Sequence, residues 1–353
     1  FPSRNVIQFI GWAIVHPIRI LKEIIMGLGI LKDGKWVSQR EQEDSQGKFI
    51  RPSTTFRSSI TSDGSSGFKA QPGRYHLYIS WACPWACRTA ILRSLKGLED
   101  VIGLSVVAAE IHSNSWEFSN DEPGCIPDTV NGTNYLWQLY LKAEPNYSGR
   151  VTVPVLWDKQ TGKIVNNESR EIIRMFDTEF NAFAKQNVNF YPEPLQKVID
   201  ETIDAIYQPI NNGVYRAGFA TSQSAYDEAV TELFAELDRW EKILGDRRYL
   251  CGNQITEADW CMFTTLFRFD AVYYVHFKCN LRRIVDYPNL WNYLKDLYQQ
   301  PGVKETCNLD HIKRHYYKSH PKVNPTRIVP KGPLIDFDAP HNRDQLTAVF
   351  AKA

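Results

Sequence analysis

Cys83 lies in the run Ser80-Trp81-Ala82-Cys83-Pro84-Trp85-Ala86-Cys87-Arg88, where the segment Tyr75-His76-Leu77-Tyr78-Ile79 gives way to a stretch opened by proline. The segment before it alternates as a strand does, and Pro84 suits a first helical position, where its missing N–H costs nothing. Cys83 is then the N-cap. Unpaired amide donors and the positive end of the helix dipole favour a thiolate there, and can lower a cysteine pKa from about 8.5 to as little as roughly 3.5. The chemistry on offer is nucleophilic attack by sulfur. Cys87 follows one helical turn later in a C-x-x-x-C spacing, not the C-x-x-C of dithiol centres, and reads as a small buried hydrophobe. One protein cysteine must therefore act on an external thiol or thioether.

Other chemistries find little support. His311 and His315 stand one helical turn apart with His320 beyond, yet no Cys, and no Glu in an H-E-x-x-H arrangement, completes a metal set, so they read as part of a surface helix. Gly27-Leu28-Gly29 lacks the third glycine of a dinucleotide fingerprint. No metal, flavin or nicotinamide is expected. With 353 residues, a net charge of +1 and no long basic block, the chain offers no nucleic-acid surface. Seven irregularly spaced cysteines fit a reducing compartment better than a disulfide framework, either the cytoplasm or an organelle with a reducing interior.

Cys83-Pro84-Trp85-Ala86 resembles the active-site motif of the glutathionyl-hydroquinone reductases, the Xi class of glutathione transferases. The resemblance runs from about Lys48 to about Tyr317. It is carried also by Pro123-Gly124-Cys125-Ile126-Pro127-Asp128, by Tyr147-Ser148-Gly149-Arg150-Val151-Thr152-Val153-Pro154-Val155-Leu156-Trp157-Asp158 and by Ile164-Val165-Asn166-Asn167-Glu168-Ser169. It implies glutathione as co-substrate, an aromatic hydroquinone conjugate as acceptor and a homodimer. The bond before Pro154 is expected to be cis, with the backbone of Val153 pairing with the cysteinyl part of glutathione. Glu168 and Ser169, where a strand turns into a helix, would bind the γ-glutamyl ammonium and carboxylate, although a plain helix cap would look the same. Trp116, with polar neighbours that suit a surface-facing ring, matches the tryptophan lying over the ligand, and Arg150 matches an anchoring arginine. Tyr215, Tyr273 and Tyr316 match three tyrosines facing the cysteine, with Tyr274 and Tyr317 as one-residue alternatives; their hydroxyls would serve a departing phenolate. The rivals are an Omega-like thiol transferase or dehydroascorbate reductase, and a non-catalytic binding protein of the same fold.

These residues need elements to position them. A strand over 75–79, a helix over 84–95, an apolar run over 101–108, a helix over 134–143, strands over 151–157 and 163–165 and a helix over 169–180 make a thioredoxin-like order. After Glu193 strand signals vanish, and helices are expected over 195–207, 222–244, 257–276 and 288–299. Thr256-Glu257-Ala258-Asp259 carries a helix-start box, with Thr256 as N-cap. The expected organisation is an extension and connector over 1–65, an α/β thioredoxin-like domain over 66–190, an all-α domain over 191–319 and a tail over 320–353, together a glutathione transferase fold. Asp33 to Ser65 reads as a surface connector. Val6 to Leu31 is apolar, basic and acid-poor but interrupted short of the ~18 residues of a membrane span. A targeting remnant, an interfacial helix and a helix packed on the body all remain open for it.

Overall fold

The computed structural model describes residues 29–38 and 43–346. The expectation for the apolar amino-terminal segment lies outside them, save for its last three residues. The elements in order are strands β1 (Ile30–Lys32), β2 (Lys35–Val37) and β3 (Tyr75–Ile79), helix α1 (Pro84–Leu95), β4 (Gly103–Val106), α2 (Leu136–Ala143), β5 (Gly149–Arg150), β6 (Val155–Asp158), β7 (Lys163–Asn166) and α3 (Ser169–Thr178). The helical part follows: α4 (Gln196–Ile206), α5 (Gly213–Gly218), α6 (Gln223–Asp246), α7 (Glu257–Arg268), α8 (Pro288–Tyr298) and α9 (Leu309–Ser319). Among the described residues no helix is long and apolar enough to cross a membrane.

The main sheet runs β4-β3-β6-β7, with β3 parallel to β4 and antiparallel to β6. Every residue of β3 and β6 is buried, as expected of central strands covered on both faces. Parallel pairing of β3 and β4 needs a crossover, and α1 supplies it. Gly162, at φ +65, closes the turn from β6 to β7, a backbone state that costs a glycine little. Helix α1 packs on α3 within its own layer and on α7 of the helical part. The helix is thereby held by both parts of the fold.

The helix expected over 195–207 forms and runs on past its expected end, whereas the one expected over 257–276 is interrupted. α4 passes into a π-turn over Tyr207–Asn211, and α7 stops at Arg268 and continues as a π-turn over Phe269–Tyr273. Such widened turns rotate the residues that follow relative to the helix before. The box at the start of α7 is formed as expected: the Thr256 amide and hydroxyl both donate to Asp259, at 2.7 and 2.9 Å.

The connector is not merely draped. β1 pairs with β2 and with β5, and residues 51–57 cross the open end of the thioredoxin-like part, where Arg57 bridges to Asn166 at the end of β7. The tail anchors itself in the helical part. Phe337 is buried against Phe267, and the Arg343 guanidinium donates to the carbonyls of Leu244, Arg247 and Arg248.

Candidate active site

Cys83 is the N-cap of α1, in extended backbone at φ −76 and ψ 121. Cys83 is partly exposed as a residue, and its Sγ lies 3.7 Å from the Val153 carbonyl oxygen. The Val153-Pro154 bond is cis, as expected. The ionisation of the thiol departs from expectation. Burial pushes the Cys83 thiol up, and the amides of Ala86 and Trp85 and the Arg268 and Arg51 guanidiniums pull against burial without overtaking it. Removing sulfur from water costs more here than one helix terminus returns.

Sγ opens onto a cavity of about 450 Å³ between the two halves of the fold. On one wall lie Arg150, Val153, Glu168 and Ser169, all predicted from the sequence. Glu168 caps α3, with Oε1 accepting from the Arg170 amide at 3.3 Å and Oε2 from the Thr54 hydroxyl at 3.3 Å. The Ser169 hydroxyl accepts a long hydrogen bond, 3.5 Å, from buried Arg88. Arg150 Nε is buried without a hydrogen-bond partner. Burial, and then the neighbouring Arg51 cation, lower the Arg150 guanidinium to about 10. Trp116 lines the cavity but is not surface-facing: the residue is 5% exposed, and its ring stacks on His315 with centroids 5.0 Å apart. The polar neighbours misled, because Ser115 turns through φ +64 and delivers the indole inward.

Tyr215, Tyr273 and Tyr316 converge on the opposite side. The Tyr316 hydroxyl is the hub, 2.5 Å from that of Tyr215 and 3.2 Å from that of Tyr273. Burial raises all three phenols, Tyr273 and Tyr316 most strongly, so each is a neutral O–H at neutral pH. Tyr215 and Tyr316 line the cavity, whereas Tyr273 stands behind them, fully buried. The π-turn ending at Tyr273 is what brings this residue to Tyr316. Of the neighbours, Tyr317 spends its hydroxyl on the Ala271 carbonyl at 3.3 Å.

Several lining residues carried no sequence signal. Arg51 reaches in from the connector, its Nε donating to Asn212 at 2.7 Å while its guanidinium lies 5.0 Å from the Trp85 ring centroid and 4.7 Å from that of Tyr215. Among the described residues neither Arg51 nor Arg150 forms an ion pair. His311 and His315 are not on a surface face. His311 Nε2 meets the Pro123 carbonyl at 2.7 Å, His315 Nδ1 meets that of Ala109 at 3.0 Å, and both rings are buried. Glu122 and Cys125 do come near His311, with ligand atoms within 4.8 Å of one another. Glu122 is paired with Arg314 at 3.0 Å and His311 Nε2 is engaged as stated, whereas His311 Nδ1 is buried without a hydrogen-bond partner.

Residues 82–179 match the model of the glutathione S-transferase N-terminal domain, and residues 223–296 match that of the C-terminal domain. Glutathionyl-hydroquinone reductase YqjG of Escherichia coli (strain K12) is 53% identical over 324 residues, spanning 90% of this chain and 99% of that protein. The glutathione-bound structure of YqjG superimposes with a TM-score of 0.83 at 52% identity, covering 90% of this chain and 99% of that one. A Xi-class glutathione transferase from Natrialba magadii gives a TM-score of 0.86 at 53% identity over 90% of this chain and 97% of its own. With its thioredoxin-like and helical parts meeting at a cysteine-lined cavity, the chain belongs to the Xi class of glutathione transferases, the glutathionyl-hydroquinone reductase family.

Proposed function

We propose that the protein is an enzyme that reduces glutathionyl-hydroquinones to hydroquinones, with glutathione as co-substrate. The observation that carries this reading is the sharing of one cavity by a single thiol, Cys83, and the hydroxyl pair of Tyr215 and Tyr316. Unpaired Arg51 and Arg150 give that cavity the charge an anionic tripeptide needs, and the α3 terminus at Glu168 and Ser169 suits its γ-glutamyl end. In the first step the Cys83 thiolate attacks the glutathionyl sulfur. The S–S bond forms as the carbon–sulfur bond breaks, and the electron pair stays on the ring, which takes a proton from the tyrosine cluster. The ring is thereby reduced, and Cys83 becomes a mixed disulfide with glutathione. A second glutathione attacks that disulfide, releasing glutathione disulfide and restoring Cys83.

Incubation with a glutathionyl-hydroquinone and glutathione is expected to yield free hydroquinone and glutathione disulfide in equal amounts. Mass spectrometry of a single turnover is expected to find one glutathione on Cys83. Reduction of small aliphatic mixed disulfides alone would favour an Omega-like thiol transferase. The reading includes a homodimer, tested by light scattering, and a reducing compartment, in keeping with seven cysteines that are all unpaired.

A further inference from the structure

Arg268, the last residue of α7, has no exposed surface. Its Nε donates to the Ala82 carbonyl at 2.9 Å and its Nη2 to the Trp81 carbonyl at 2.8 Å, while Nη1 closes back on Thr264 at 2.8 Å. A side chain of the helical part thus grips the two residues that precede the nucleophile. Among the described residues no carboxylate pairs with it. Burying a cation without a counter-ion is costly, and neutral carbonyls offset only part of that cost.

The groups around this guanidinium are all neutral in their ordinary forms at pH 7. Cys83 and Cys87 face it from α1, Cys307 from the loop before α9, Tyr273 from the π-turn, and His315 and Tyr316 from α9 itself. Burial holds His315 at about 4, so its imidazole adds no charge. Two of these groups are the start and the end of the proton and charge movement in the proposed reaction. The negative charge begins on Cys83 and, once the ring has taken a proton, belongs to the tyrosine cluster. The Arg268 charge acts on both, and its hydrogen bonds hold the backbone that carries the first.

We propose that Arg268 is a positioning residue that holds the Trp81-Ala82-Cys83 backbone and supplies the fixed counter-charge for the one negative charge passing from Cys83 to the tyrosine hub. The second half of this statement rests on the reductase reading. The first half does not, because it concerns the thiolate alone. Arg51 is the other cation near Cys83, but it approaches from the connector side, across the cavity mouth, and touches neither Tyr273 nor the 81–83 backbone through any hydrogen bond. The two cations therefore have separable effects.

The test is the rate of Cys83 alkylation by iodoacetamide, read on the Cys83 peptide by mass spectrometry from about pH 6 to about pH 10, a range that brackets an ordinary thiol. No hydroquinone is involved, so failure here is distinct from failure of the reductase assay. Arg268→Met, similar in volume and uncharged, is expected to alkylate on the order of 10-fold more slowly at pH 7, with its pH profile displaced upward by about one unit. Arg268→Lys keeps a charge but cannot span both carbonyls, and is expected to stay within about threefold of wild type at pH 7, equivalent to at most about half a pKa unit. Near-ultraviolet circular dichroism checks that each variant is folded. A wild-type profile in Arg268→Met overturns the proposal. So does a tenfold loss in Arg268→Lys, which would leave only a backbone-holding role, and that variant decides the matter if the methionine variant does not fold.

Discussion

Replacing Tyr316 with phenylalanine removes the hub of the hydroxyl cluster and leaves every ring in place. Its oxygen is shared by two short contacts, to Tyr215 at 2.5 Å and to Tyr273 at 3.2 Å, in a site from which water is largely excluded. Loss of one buried neutral partner costs about 1–3 kcal/mol of stability, toward the lower end here because the Tyr215 and Tyr273 rings, with centroids 6.0 Å apart, can turn toward each other. The catalytic loss is larger. A positioned proton donor is worth about 10 to 1,000-fold, so release of hydroquinone from its glutathione conjugate is expected to slow by that factor in Tyr316→Phe and in Tyr215→Phe. Tyr273 does not reach the cavity and makes only the longer of the two bonds, so Tyr273→Phe is expected to lose less than about tenfold. The assay pairs hydroquinone release with reduction of a small aliphatic mixed disulfide, whose leaving thiolate needs no such donor. Equal losses on both substrates would show that the hydroxyls only support the pocket. A Tyr273→Phe variant as damaged as Tyr316→Phe would refute the division between front and rear tyrosines.

Cys83→Ser is expected to abolish turnover with the fold intact, whereas Cys87→Ser, whose buried sulfur faces the Thr306 carbonyl at 3.7 Å and the Arg268 guanidinium but not the cavity, keeps most of it. Equal loss in steady-state assays of the two variants would rule out a single-cysteine mechanism. Thr256→Ala removes the hydroxyl from the α7 capping box and is expected to cost about 1 kcal/mol in urea unfolding without changing KM; a shifted KM would mean that α7 moves with the site. Burial holds His76 down at about 4, so its neutral form contributes stability that is present above pH 6.5 and is lost as pH falls toward 4. The stability difference between wild type and His76→Asn should therefore fall by about 2 kcal/mol between about pH 7 and about pH 5, and denaturation curves giving the same difference at both values would show that His76 takes up its proton in the fold as readily as in the unfolded chain.

What was legible in the sequence is what short stretches decide. Pro84 after an apolar strand places the Cys83 cap, Thr256 with Asp259 places the start of α7, and Glu168-Ser169 after β7 places the start of α3; each needs only neighbours within a turn. The tyrosine cluster was reached through the family resemblance. Its hydroxyls meet across 101 and 43 residues of chain, and none of the 17 tyrosines is marked by its own surroundings as a member.

The rest was illegible for one physical reason: polar groups here find their partners far away along the chain, most often on backbone carbonyls. His311 and His315 look like the polar face of a helix, yet each imidazole meets a carbonyl 188 and 206 residues away, and burial follows from that pairing. Arg268 falls inside the helix expected over 257–276 with nothing to mark it, and its partners lie 186 and 187 residues back. Arg51 reads as part of a polar connector, and a side chain 161 residues on holds it over the cavity. The same remoteness explains the Cys83 thiol. Its place at the helix terminus is local and was foreseen, whereas its ionisation depends on how much of α5, α7 and α9 closes over it, and that burial outweighs the dipole. It follows that the reactivity of Cys83 is set by the helical part as much as by the motif that contains it. Changes in the helical part that leave the motif intact, Arg268 foremost, are therefore the ones that separate thiol reactivity from the presence of the thiol.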